Sequence, residues 1–312
     1  MIDYINFKVP GDSRLTEMAL RLICDEFGKE EELLERRQLS GGEADYNLDY
    51  LFCAVENEKM LGTIHLTVNK KNCELGMLGG LVTAPESRGR GVATKLFGGA
   101  CELFDSLGGK LLLLGTETPM AARIYEKFGF KFISGTNIMA RIKDGYLYDF
   151  YRELYSGRDC EICDMDDGCR VPIIPLIASR TRDILMDANA SIVNNMYLTQ
   201  ISCAGLYMRF IKIMENGAAK TARLKNQAVA AILTEMKNGD VRNLDLFAYS
   251  GFEHILHKML SEHIRDGIKY SALVCKKDAD KLELLRKFGF EIKRDKDFEF
   301  HNIRISCYYL ER

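Results

Sequence analysis

The sequence predicts an α/β protein built from two tandem halves, and three observations carry that expectation. The chain has 312 residues, enough for two domains of ordinary size, each with its own core. Short apolar runs with strand character alternate with stretches whose apolar residues recur at helical spacing. Finally, Lys127-Phe128-Gly129-Phe130 recurs as Lys287-Phe288-Gly289-Phe290, 160 residues on (287 less 127). Each copy follows an apolar strand, a polar cap and a helix, which indicates duplicated domains rather than a solenoid.

Composition narrows the class. A hydrophobic share of 47%, a charged share of 28% and a formal charge of −2 describe a soluble globular protein with no basic footprint for nucleic acid. Lys8, Pro10 and Asp12 interrupt any signal-peptide core, and no apolar run is long enough to span a membrane. The ten cysteines are scattered through apolar runs such as Leu51-Phe52-Cys53-Ala54-Val55, the pattern of reduced core thiols in a cytoplasm.

In chain order, residues 2–9 predict a first strand, broken by Pro10-Gly11. Asp12 or Ser13 caps a helix with Leu15, Met18, Ala19, Leu22, Ile23 and Phe27 on one face. A charged helix is expected over 30–38. The following loop, 43–50, holds three acids and two tyrosines, suited to a cationic amine through charge and cation–π contact. Strands over 51–56 and 61–68 flank a short polar turn, a hairpin signal. A strand over 74–83 then leads into a polar turn and the run Arg88-Gly89-Arg90-Gly91-Val92-Ala93. Its glycines uncover backbone amides at the start of a helix, where orphan N–H groups and the dipole favour an anion.

That helix presents Val92, Leu96, Phe97, Ala100, Leu103 and Leu107 to the core. Gly98-Gly99 costs it about 1 kcal/mol per glycine, which predicts close packing against the sheet. Leu111–Gly115 reads as a strand covered on both faces. Thr118 and Pro119 open a helix over 120–128 that Gly129 ends, and strands over 131–134 and 137–142 follow. The aromatic stretch 143–157 reads as a helix packed between two lobes. In the second half, strands are expected over 160–167, 228–236, 244–249 and 271–275, with helices over 252–265 and, capped by Asp278, 281–288.

The run at 88–93 resembles the acyl-CoA signature of the GNAT superfamily of N-acyltransferases, Arg/Gln-x-x-Gly-x-Gly/Ala, with Arg88, Gly91 and Ala93 in its fixed places. It has neither the Gly-Lys-Ser/Thr ending of a P-loop nor the Rossmann glycine triplet. Ala121, Ile124, Tyr125, Gly129 and Phe130 resemble the family's second pattern, Ala-x-x-Leu-Tyr-x-x-x-Gly-Phe, although Thr118 stands where Asn is common. The resemblance implies two GNAT-like domains, each a mixed, mostly antiparallel sheet flanked by helices. Residues 1–145 would form the catalytic domain that binds acetyl-CoA, 146–157 a helical connector, and 158–312 a degenerate copy shaping the acceptor cleft. In that copy Ser250-Gly251 replace the phosphate loop, and Tyr125 falls on Leu285.

The same resemblance implies site residues. Backbone groups at Leu81, Val82 and Thr83 would hold the pantetheine and the acyl oxygen. Arg88, Gly89, Arg90, Gly91, Val92, Ala93 and Thr94 would surround the pyrophosphate. Tyr125 would act as general acid, with Glu74, Glu117 or water as base. The implied activity is transfer of an acetyl group from acetyl-CoA to a primary amine, on a small molecule or on a peptide or protein. A non-catalytic acyl-CoA sensor or scaffold is the alternative, and a longer-chain acyltransferase a third reading. Either a monomer or a homodimer is compatible with this.

No metal is expected. His254, His257 and His263 lie on one helix without a His-Glu-x-x-His arrangement, and Cys160, Cys163 and Cys169 lack a second ligand pair. Leu206, Phe210 and Ile213 read as a packed helix face.

Overall fold

A computed structural model of the chain describes residues 1–28, 32–179, 184–194, 203–300 and 303–312. They divide into two compact units, chiefly residues 1–150 and 151–312.

The first unit opens with β1 (Asp3–Lys8), α1 (Ser13–Phe27) and α2 (Glu32–Leu39). Glu30, the expected start of the second helix, lies outside the described residues. Asp12 caps α1, its carboxylate accepting from the Leu15 N–H at 3.0 Å. β2 (Asn47–Glu56) turns into β3 (Lys59–Asn69) through Asn57 and Glu58, with φ of 49° and 62°. Two consecutive left-handed residues are what a tight type I′ hairpin requires. β4 (Leu75–Thr83), α3 (Val92–Ser106), β5 (Leu111–Gly115), α4 (Pro119–Glu126), β6 (Lys131–Phe132) and β7 (Ile138–Ile142) complete the sheet.

Its order is β1-β2-β3-β4-β5-β7-β6. β4 and β5 pair in parallel, while the other neighbours run antiparallel. One core gathers Ala19, Leu20 and Ile23 of α1 with Leu51, Cys53 and Val82 of the sheet. Another gathers Phe97 and Phe104 of α3, Tyr125 of α4, Phe130 and the β3 residues Ile64, Leu66 and Val68. Arg141 on β7 clamps Asp105 on α3 with two parallel hydrogen bonds of 2.8 and 2.7 Å.

Two expectations change here. Of the three acids in the stretch 43–50, Glu43 and Asp49 are buried, and Asp45 alone is exposed. Arg37 lies 3.1 Å from Glu43, and Gln38 and Thr67 donate to Asp49 at 2.8 and 2.7 Å. Charged and polar groups of α2 and β3 thus hold these acids inside the unit, and residues 47–50 extend β2. The Gly98-Gly99 pair does not answer to the sheet alone either. A Cβ at Gly98 would meet Phe128, beyond α4, at 3.2 Å, whereas one at Gly99 would reach Phe52 on β2 at an ordinary 3.6 Å.

α5 (Leu147–Leu154) forms within the aromatic stretch. The second unit then runs β8 (Cys160–Asp164), α6 (Ile173–Ala178), a hairpin of β9 (Leu185–Asp187) and β10 (Ile192–Asn194), α7 (Cys203–Asn216), β11 (Gly217–Leu224), β12 (Val229–Asn238) and β13 (Val241–Ala248). It closes with α8 (Glu253–His263), β14 (Lys269–Cys275), α9 (Ala279–Lys287), β15 (Glu291–Phe300) and β16 (Ile303–Glu311). Its sheet order, β15-β16-β14-β13-β12-β11-β8, traces the path of the first sheet strand for strand. The parallel pair, β13–β14, occupies the same place. The repeated tetrapeptide therefore marks a duplicated fold. Leu206, Phe210 and Ile213 of α7 are buried, as their spacing predicts, and Asp278 caps α9 through the Lys281 N–H at 3.1 Å. The β9–β10 hairpin, by contrast, has no counterpart among the described residues of the first unit.

Candidate active site

The site begins where two parallel strands part. β4 and β5 pair only over Leu75–Met77 and Leu111–Leu113. Beyond Leu78, β4 runs beside β3, and among the described residues its other edge from Gly79 to Thr83 has no strand partner. β4 also bulges there. Thr63 pairs with Val82 and His65 with Gly79, leaving Gly80 and Leu81 opposite the single residue Ile64. Gly80 takes φ +58° to make that bend. Leu81 and Thr83 are half-buried and Val82 is buried.

The chain next passes a short 3₁₀ turn at Pro85–Ser87 and reaches the glycines. Gly89 and Gly91 both hold φ +79°, and a Cβ at either would meet nothing within 4 Å. Glycine is thus required by the backbone, and the space above it is open. Gly91 caps α3 without any side-chain hydrogen bond. Among the described residues the N–H groups of Gly89, Gly91, Val92, Ala93 and Thr94 have no acceptor, and Lys95 is the first to bond back, to the Gly91 carbonyl at 3.1 Å. Bare donors at the positive end of a helix dipole form an anion site.

The two arginines stand at its rim, held by carboxylates. Arg88 lies 2.9 Å from Glu26 and donates to the Thr83 carbonyl at 3.2 Å, while Arg90 lies 2.8 Å from Glu56. A groove of about 440 Å³ continues from Gly91 and Thr94 past Lys95 and Gly98 to Phe128.

Tyr125 is nearly buried at 7% exposure and stacks on Phe97 with ring centroids 4.8 Å apart. Burial pushes its phenol up to about 12, so it stays protonated throughout the physiological range. Glu117 follows β5 at the same end of the sheet as the phosphate loop, exposed, and accepts from Asn137 at 3.4 Å. Glu74 is a correction. It precedes the first residue of β4, paired with Lys110 at 2.6 Å. At about 3.3 Å per residue, the length of β4 puts it roughly 30 Å from Thr83. A strand has two ends, and Glu74 stands at the one away from the loop.

Residues 47–132 match the family model of the acetyltransferase (GNAT) domain. The first unit carries a GNAT domain. It is accordingly of the acyltransferase class.

Among solved structures, the chain resembles a GNAT-family acetyltransferase from Staphylococcus aureus at 16% identity and a TM-score of 0.37, covering 46% of this chain and 100% of that one. It also resembles a GNAT superfamily phosphinothricin acetyltransferase from Sinorhizobium meliloti in complex with AcCoA, at 16% identity and a TM-score of 0.38, covering 50% and 88%. A GCN5-related N-acetyltransferase from Kribbella flavida aligns over 99% of this chain and 72% of its own, at 16% identity and a TM-score of 0.41. No curated protein matches the chain.

In the second unit the strands part as well, but the gap is filled and the anion site is not kept. Parallel pairing of β13 with β14 ends at Leu244 and Ala272. The next residue, Asp245, is buried with Lys281 at 2.8 Å and accepts from the Ala188 N–H of the hairpin turn at 2.7 Å. Lys281 donates to the Met186 carbonyl on β9 at 2.8 Å, and Asp187 accepts from Thr234 and from the Ala190 N–H, both at 2.8 Å. The hairpin therefore fills the place where the strands part. Glu253, in the first turn of α8, accepts from the Gly251 N–H at 2.9 Å and sets a negative charge where a phosphate would sit. Leu285, the counterpart of Tyr125, is buried and cannot donate a proton.

Proposed function

We propose that the GNAT domain transfers an acetyl group from acetyl-CoA to a primary amine by direct attack on the thioester. One observation carries this reading: the row of unbonded amides at Gly89 and Gly91–Thr94 lies next to the open edge of β4. A diphosphate would accept from those amides, with Arg88 and Arg90 turning to it from Glu26 and Glu56. The pantetheine would run along Gly79–Thr83 as an added strand, and the acyl oxygen would accept from a β4 amide.

The amine nitrogen then bonds to the carbonyl carbon and the carbon–sulfur bond breaks, giving the amide and CoA thiol. One amine proton leaves to water or to Glu117, and the sulfur gains one. With its phenol at about 12, Tyr125 lies well above a thiol at roughly 8.5, so complete transfer from it is uphill by about 5 kcal/mol. Its part is a hydrogen bond to the sulfur as charge develops there, which lowers the barrier without full proton release.

Calorimetric titration with acetyl-CoA is expected to give one site per chain, and thiol release in the presence of an amine panel is expected to show turnover. Tyr125→Phe is expected to lower kcat by about tenfold to a hundredfold while CoA affinity stays within about threefold. Absence of acetyl-CoA binding would refute the reading; binding without turnover on any amine would leave a sensor.

A further inference from the structure

We propose that His65, seated against Glu35, is the positioning residue that holds the β4 bulge in the shape the acyl group requires. The proposal rests on the acetyltransferase reading of the first unit. His65 sits on β3 between the buried Thr63 and Thr67 of the same strand face, fully buried, and pairs across the sheet with Gly79 at the edge of the bulge. A Cβ at Gly79 would lie 2.7 Å from His65 Nε2, and one at Gly80 would lie 3.0 Å from Nδ1. The imidazole therefore rests directly on the backbone of both residues, and only glycine admits it.

The ring also meets α2, where Glu35 Oε2 stands 3.4 Å from Nδ1. Asp49 on β2 is the other near carboxylate. Burial pushes its carboxyl up, against hydrogen bonds from Gln38 and Thr67 and the nearby charge of His65. Glu43, paired with Arg37, lies close enough to add to that rise. The imidazole is thus wedged between Glu35 of α2 and the two bulge glycines.

The duplicated half supplies an internal control. Counting from the last parallel pair in each sheet, Leu246 occupies the place of Gly79 and Leu233 the place of His65. There β12 and β13 pair without a break from Ala231 and Ala248 to Asn238 and Val241. Where the histidine and glycine are absent the strand is regular, and where they are present it bulges. A regular β4 would turn its amides back into the β3 ladder and away from the open edge where the acyl oxygen would bind.

The test compares His65→Ala, Gly79→Ala and the double variant with the wild type. His65→Ala and Gly79→Ala are each expected to lower kcat at least thirtyfold, with affinity for unacylated CoA within threefold. The double variant is expected to stay within about threefold of the weaker single variant, because both changes break the same ring–backbone contact. Wild-type kcat in His65→Ala, CoA affinity falling in step with kcat, or losses that multiply in the double variant would overturn the proposal.

Amide hydrogen exchange over residues 76–84 reads the bulge with no ligand present and is expected to slow in His65→Ala. Unchanged exchange would also overturn it. Should His65→Ala fail to fold, His65→Asn and Gly79→Ala carry the same comparison. A wild type that neither binds acetyl-CoA nor releases thiol refutes the acetyltransferase reading instead, and exchange then decides the bulge on its own.

Discussion

Replacing Asp187 by asparagine stabilises the second unit more at pH 8 than at pH 5. Asp187 is buried beside Asp245, and desolvation together with that neighbouring carboxylate lifts its carboxyl from 3.8 to about 7. A folded pKa above the unfolded one means that the native state holds the proton more tightly. The stability this proton confers is complete below about pH 4 and is lost as pH rises through 7. At about 1.4 kcal/mol per pH unit, the loss between pH 5 and the plateau above pH 7 is about 2–3 kcal/mol. Asparagine removes the titration and keeps the geometry. Its carbonyl can accept from the Ala190 N–H, and its amide can donate to the Thr234 hydroxyl, which now reverses its role. Urea unfolding followed by circular dichroism at pH 5, 6, 7 and 8 measures the variant against the wild type. The difference is expected to move in favour of the variant by about 2–3 kcal/mol over that range. A difference that stays flat with pH, or one that falls, would refute the assignment of a proton to this cluster.

The phosphate loop and its rim yield two further expectations. Gly91→Ala forces a side chain into the left-handed region at φ +79°, costing about 1 kcal/mol of stability; calorimetry is expected to show a much larger loss of CoA affinity, because the α3 amides are re-aimed. Glu56→Gln releases Arg90 from its 2.8 Å partner. It is expected to leave the melting temperature unchanged and to tighten CoA binding two- to fivefold at low salt, a gain that added salt should erase.

How much was legible in the sequence differs from one element to the next. The glycine loop could be read because its parts are consecutive: strand, turn, two glycines and a helix start all lie between Leu78 and Leu96. The duplication was legible from a tetrapeptide, since Phe-Gly at a helix end recurs wherever the same turn is built. Glu74 misled because periodicity marks a strand without saying at which end the chemistry sits. Glu43 and Asp49 looked like a solvated acidic loop, and only the closing of α2 by Arg37 and Gln38 turned them inward. Helix faces such as Leu206, Phe210 and Ile213 were legible because helical spacing alone decides which side is buried.

The sequence by itself determined the α/β class, the two halves, the glycine-lined start of α3 and the placement of Tyr125 in α4, all of them local consequences of spacing and backbone freedom. Tertiary structure decided what depends on register between distant strands. It made β4 part from β5 after Met77, set His65 under Gly79 and Gly80, and drove the β9–β10 hairpin into the corresponding gap of the second sheet. Residues far apart in the chain meet through the pairing of whole strands, and a one-residue bulge changes which groups face the opening.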